Sequence, residues 1–253
     1  MKAKDFIKSH PLCCFCGGAE PATTIEHLPA RIVFPKKHRP KGLEFPACAA
    51  CNAQTRGDDA VLAIVARAVG STRPGTPLLD EETLAKAARG SQITFPGFKL
   101  AGRQELRSVN GVIRWVSVFD VNHETVHLCL CRLAAKFALA AIYKLSDSIA
   151  DESYRINTMW THNQHGDAGE IASILKIFPN SSSLRQGSWD TAETFYFRHI
   201  MEGQTLIVAG VFYEAILLYA HLGPLFETKS WIPMQMTWGP AAQLGVVRKA
   251  LNV

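Results

Sequence analysis

Cys13-Cys14-Phe15-Cys16-Gly17-Gly18 and Cys48-Ala49-Ala50-Cys51-Asn52 are the two stretches on which the reading of this chain turns. Each carries a Cys-x-x-Cys pair, and 31 residues separate the pairs. Two thiolates on each of two tight knuckles satisfy tetrahedral zinc, with Zn–S near ~2.3 Å. A metal held this way can fold a segment too small to build its own core. The competing readings are redox-active or merely buried thiols. Cys14 can shift the register of the first pair only by leaving the poorer spacing Cys14-Phe15-Cys16, so it reads as a bystander. The predicted zinc ligands are Cys13, Cys16, Cys48 and Cys51.

Between the pairs, residues 22–27 contain Thr23, Thr24 and Ile25 and predict a short strand that ends in Glu26-His27. Residues 28–46 follow with four prolines, Gly42 and the cluster Lys36-Lys37-His38-Arg39, a basic loop. After the second knuckle, Asp58 and Asp59 suit the first turn of a helix, and 60–69 is apolar and helix-compatible.

Glu26-His27 before Pro29, set between two cysteine pairs with Asn52 directly after the second, resembles the zinc-ribbon members of the HNH (ββα-metal) endonuclease superfamily. The resemblance covers residues 10–60. It implies His27 as the general base, Glu26 and Asn52 as ligands of a catalytic Mg²⁺ or Mn²⁺, and the four-cysteine zinc as purely structural. The residue types suit that chemistry. An imidazole accepts a proton from water near neutral pH, and carboxylate and amide oxygens suit a hard cation. Adjacent strand residues point to opposite faces, so Glu26 and His27 converge only if the strand bends there. The family's middle Asn is missing: its place is taken by Leu43.

Charge agrees with a polyanionic partner. Residues 1–57 hold nine Lys/Arg and four acids, which accounts for the whole net charge of +5. Arg31 and Arg56 are candidates to contact a scissile phosphate. Lys36, Lys37, Arg39 and Lys41 are candidates to contact nucleic-acid backbone. Ordinary solvated residues are the alternative for each.

The composition, 47% hydrophobic and 19% charged, supports a real core. The most apolar runs, 128–142 and 205–222, are broken by Arg132, Lys136, Gly210 and Glu214. They read as core rather than membrane spans. With no export signal in view, the expectation is a cytoplasmic protein with no membrane partner. A boundary is expected at 70–77, dividing a nuclease domain (1–70) from a larger domain (78–253). The latter would be α+β, with a short helix over 80–89, strands within 92–120, a long apolar helix over 123–146 and an antiparallel meander over 195–222. Residues 147–192 carry no clear pattern, and 223–253 read as an irregular tail ending in a short helix. His162-x-x-His165 lacks a further ligand pair and reads as a polar loop. Cys129 and Cys131 read as buried thiols.

The functional expectation is a metal-dependent endonuclease acting on DNA, or on RNA. Substrate binding, homodimer formation and sensing are the roles open to 78–253. The alternative is a zinc-ribbon nucleic-acid-binding or regulatory protein without catalysis.

Overall fold

The computed structural model describes residues 3–34, 42–70, 85–90, 101–109, 111–119, 121, 123–163, 169–178, 194–224 and 237–240. The N-terminal part begins with helix α1 (Ala3–Ser9) and the first knuckle. There Gly17 and Gly18 take φ of 68° and 78°, values a side chain would strain. Strands β1 (Thr24–His27) and β2 (Glu44–Ala47) pair antiparallel, with Thr24 opposite Ala47 and His27 opposite Glu44. A 3₁₀ turn (Arg31–Val33) follows β1. Helix α2 (Ala49–Gln54) leaves directly from β2 and runs almost unbroken into α3 (Arg56–Gly70). Asp58 and Asp59 do fall in the first turn of α3.

Residues 85–90 form a short helical stretch, α4. Strands β3 (Ala101–Val109) and β4 (Val112–Phe119) make a two-stranded ribbon closed by Gly111 at φ 77°. The expected long apolar helix is α5 (Glu124–Ser146). It is capped by His123, whose side chain accepts from the Thr125 amide, and stopped by Asp147 in the left-handed region. By length and composition α5 could cross a bilayer, but 83% of its most apolar window is buried against the rest of the chain.

The expected three-stranded meander is part of a five-stranded antiparallel sheet ordered β6-β7-β8-β5-β9. Its strands are β5 (Tyr154–His162), β6 (Phe195–Glu202), β7 (Thr205–Phe212), β8 (Ile216–Pro224) and β9 (Thr237–Pro240). β5 comes from the stretch without a sequence pattern. It sits between β8 and β9, with Tyr154 and Ile156 in the core shared with α5 and Met159 packed towards α6, while Arg155 and Thr161 stay half-exposed. β9 lies in the expected irregular tail, whose predicted terminal helix falls outside the described residues. Helix α6 (Gly169–Leu175) and Phe178 pack with Leu217 and Tyr219 on one face of the sheet. On the other face, Ile216, Leu218 and Leu222 join α5. Gly210 lets α5 approach closely there: a Cβ would meet the Phe137 ring at 3.2 Å and push it back by a few tenths of an ångström.

The predicted boundary, 70–77, starts at the last residue of α3, and 71–77 lie outside the described residues. On either side of it the chain shares one continuous apolar core, from Cys13, Phe15 and Phe45 through Val61 and Val65 to Leu133, Phe137 and Phe195. Tyr213, in the β7–β8 turn, reaches the N-terminal part directly: its Oη donates to the Val33 carbonyl at 2.7 Å, fully buried.

Candidate metal centre and adjoining polar cluster

The two knuckles close on each other. The sulfur atoms of Cys13, Cys16, Cys48 and Cys51 all lie within 4.8 Å of one another. Tetrahedral zinc at ~2.3 Å from each sulfur asks for roughly 3.8 Å between sulfurs, so small adjustments complete the shell. Backbone bonds set up the geometry. The Cys13 amide donates to Glu20 O and the Gly18 amide to Cys13 O, which folds the first knuckle. The second is the start of α2, where Cys48 Sγ accepts from the Cys51 amide at 3.4 Å. That N-cap position aims backbone N–H groups at a thiolate. The Cys51 thiol donates to Cys13, which brings Cys13 down to about 5 and pushes Cys51 up. One sulfur of the four is therefore held anionic, while desolvation pushes the Cys16 thiol up to about 11. Cys14 lies outside it, fully buried, its thiol pushed up by desolvation.

Glu26 and His27 diverge, as strand alternation requires. The His27 ring is at the surface, 43% exposed, with Nδ1 3.8 Å from Oε1 of Glu44, its cross-strand partner. That contact is longer than a hydrogen bond but within reach of charge. Glu26 turns the opposite way, opposite Phe45, into the core. There its Oε1 meets Lys136 Nζ of α5 at 3.1 Å. Asn52 lies on β1: its Nδ2 donates to Thr24 Oγ1 at 3.0 Å and to Ile25 O at 3.5 Å. The Thr24 hydroxyl gives its own proton to Ala47 O. Both contacts of Asn52 thus need an N–H donor, which fixes the amide orientation and leaves its oxygen for a ligand. The Asn52 amide is seated on the strand that ends in Glu26-His27, while the Glu26 carboxylate is engaged elsewhere.

Leu43 is 3% exposed, and its carbonyl accepts from the Leu28 amide at 3.2 Å. A backbone bond and apolar packing brace the loop mouth at this position. Arg31 and Arg56 are exposed, at the 3₁₀ turn and at the first position of α3. Lys36, Lys37, Arg39 and Lys41 lie outside the described residues, as does His165. His162 stacks on Trp160, and Cys129 and Cys131 are buried on α5.

Behind Glu26 lies a buried polar cluster that was not anticipated from the sequence. Arg132 makes a two-pronged ion pair with Asp58, at 2.8 Å from Nε and 2.5 Å from Nη2. Lys136 donates to Thr55 Oγ1 at 2.5 Å as well as to Glu26, and its ammonium stands 5.2 Å from the Phe15 ring centre. Asp59 is buried beside them. Desolvation, with Glu26 and Asp58 adding to it, pushes its carboxyl up to about 8 against the pull of Lys136. The available signal was Arg132 and Lys136 themselves. Two cations four residues apart mark one face of an otherwise apolar helix, and buried cations are paired.

No protein-family model matches the sequence, and neither a curated protein nor a solved structure matches the chain. The class the geometry supports is therefore the coarse one: a mixed helix-and-sheet protein whose four clustered cysteines can hold a zinc ion.

Proposed function

We propose that the chain is a metal-dependent endonuclease of the HNH type that hydrolyses DNA phosphodiester bonds. The observation that carries this reading is the order of its parts. An antiparallel hairpin leads straight into a helix, the four cysteines tie the two together, and Asn52 in that helix rests on the strand ending in Glu26-His27. In this reading Cys13, Cys16, Cys48 and Cys51 hold a structural zinc. Glu26 and Asn52 oxygens hold a Mg²⁺ or Mn²⁺, which when bound offsets charge developing on the phosphate. His27 takes the proton of the attacking water at Nε2. Glu44 beside Nδ1 favours the tautomer that leaves Nε2 unprotonated. For Glu26 to serve, its carboxylate must leave Lys136 and turn from the core to the face of β1 that carries His27.

Plasmid DNA incubated with Mg²⁺ or Mn²⁺ tests the proposal. Wild type is expected to nick it, and His27→Ala to lose roughly a hundredfold or more in rate, the usual scale of a general base. Equal nicking by both proteins rejects His27 as the base.

One observation favours a second reading, a non-catalytic zinc-ribbon protein that binds or regulates nucleic acid: Glu26 is already neutralised by a buried lysine. Absence of nicking by wild type with either cation supports it.

A further inference from the structure

The β3–β4 ribbon has two unlike sets of register positions. In one set Leu106 stands opposite Trp115 and Ser108 opposite Ile113. Leu106, Ile113 and Trp115 are 57%, 72% and 65% exposed, and Val112 beside the turn is 50% exposed. In the alternate set Arg107 stands directly opposite Arg114. Over 101–119 the ribbon carries Arg103, Arg107 and Arg114 against a single acid, Glu105. Two features here are unfavourable in water. Large apolar side chains are left uncovered, and the ribbon's sequence carries three arginines against one acid, an excess of positive charge. A two-stranded ribbon alone is at best marginally stable, so a partner that relieves both strains is favoured.

We infer that the β3–β4 ribbon is a DNA-gripping arm that lies in a groove of duplex DNA. The inference rests on the nuclease reading for its biological sense but stands on its own observations. A strand of eight residues reaches about 27 Å at ~3.4 Å per residue, and a two-stranded ribbon fits the major groove. Phosphates along the groove compensate the ribbon's excess of arginine. Exposed Trp115, Ile113 and Leu106 gain contact with base edges, thymine methyls or an opened base step. A second copy of this chain seated on the apolar set would bring a second arginine excess against the first. Duplex DNA relieves both sets together.

The test is binding of a labelled 30-base-pair DNA duplex to full-length protein without added divalent cation, across a series of salt concentrations. Ile113→Ser/Trp115→Ser is expected to weaken binding at least tenfold with the salt slope unchanged. Arg107→Gln/Arg114→Gln is expected to weaken it at least tenfold and to reduce the slope of log K against log salt by about 2, near 0.9 for each phosphate no longer neutralised. The variants alter opposite sets of positions, so a folding defect in one, seen as lost zinc, leaves the other as the test. Wild-type affinity in both variants overturns the arm. So does conversion of a dimer to a monomer with DNA affinity intact, or equal competition by duplex RNA, whose deep major groove does not admit a ribbon. Nicking by a wild type whose DNA affinity ignores both variants removes the arm and leaves the nuclease. Arm-dependent binding without nicking keeps the arm and removes the nuclease.

Discussion

Lys136 is a cation held almost wholly out of water, 1% exposed, between Glu26 and Thr55. Its attraction to Glu26 repays desolvation only while both partners are present, so removing either leaves an uncompensated buried charge, a cost of about 3–5 kcal/mol. Lys136→Met and Glu26→Gln are each expected to lower urea-unfolding stability by that order. The double variant is expected to lose less than the sum, and strict additivity would deny the pairing. Asp59 belongs to the same cluster and gives it a pH dependence. Its folded-state value of about 8 lies above the unfolded value near 3.8. Between those limits the folded chain keeps a proton that the unfolded chain has released. Stability from this group is therefore full below about pH 4, falls as pH rises, and is fully lost above about pH 8. The slope is at most about 1.4 kcal/mol per pH unit. Subtracting the stability curve of Asp59→Asn from that of wild type should reveal this limb. A flat difference would mean that Asp59 is ionised in the folded chain.

At the level of single elements, the cysteine knuckles were legible from the sequence because their chemistry is local: spacing, glycines and a helix start define them within a few residues. The orientation of Glu26 was legible only in part. Strand alternation requires it to oppose His27, but its partner Lys136 is remote in the chain, and nothing near Glu26 announces it. The same holds for Arg132 and Asp58, 74 residues apart. β5 was illegible for another reason: two of its buried positions are held by polar Asn157 and Thr158, so hydrophobicity does not mark them as core. The β1–β2 hairpin and α2 are too short to be stable alone, so their order should depend on the metal. Cys48→Ser is expected to abolish stoichiometric zinc and to raise amide exchange over 24–27 and 44–54. It should leave β7 and β8 protected. Retention of zinc by this variant would show that Cys48 is not a ligand.

On the scale of the molecule, the cysteine centre, α3, α5 and one face of the large sheet share a single core. The polar cluster behind Glu26 joins α3 to α5, and Tyr213 joins the sheet's turn to Val33. Stability is therefore expected to be pooled. Stripping zinc with a chelator should lower the thermal midpoint of the sheet as well as that of the knuckles, in one transition by tryptophan fluorescence and circular dichroism. Two separated transitions, the second unmoved by zinc, would indicate parts that fold independently.

The bond from Tyr213 to the Val33 carbonyl carries a practical corollary. A chain severed between residues 70 and 85 should keep its two pieces together, because the described residues on either side of the cut share one apolar core. Expressed from two separate genes, the halves should assemble spontaneously and copurify through a tag on either one.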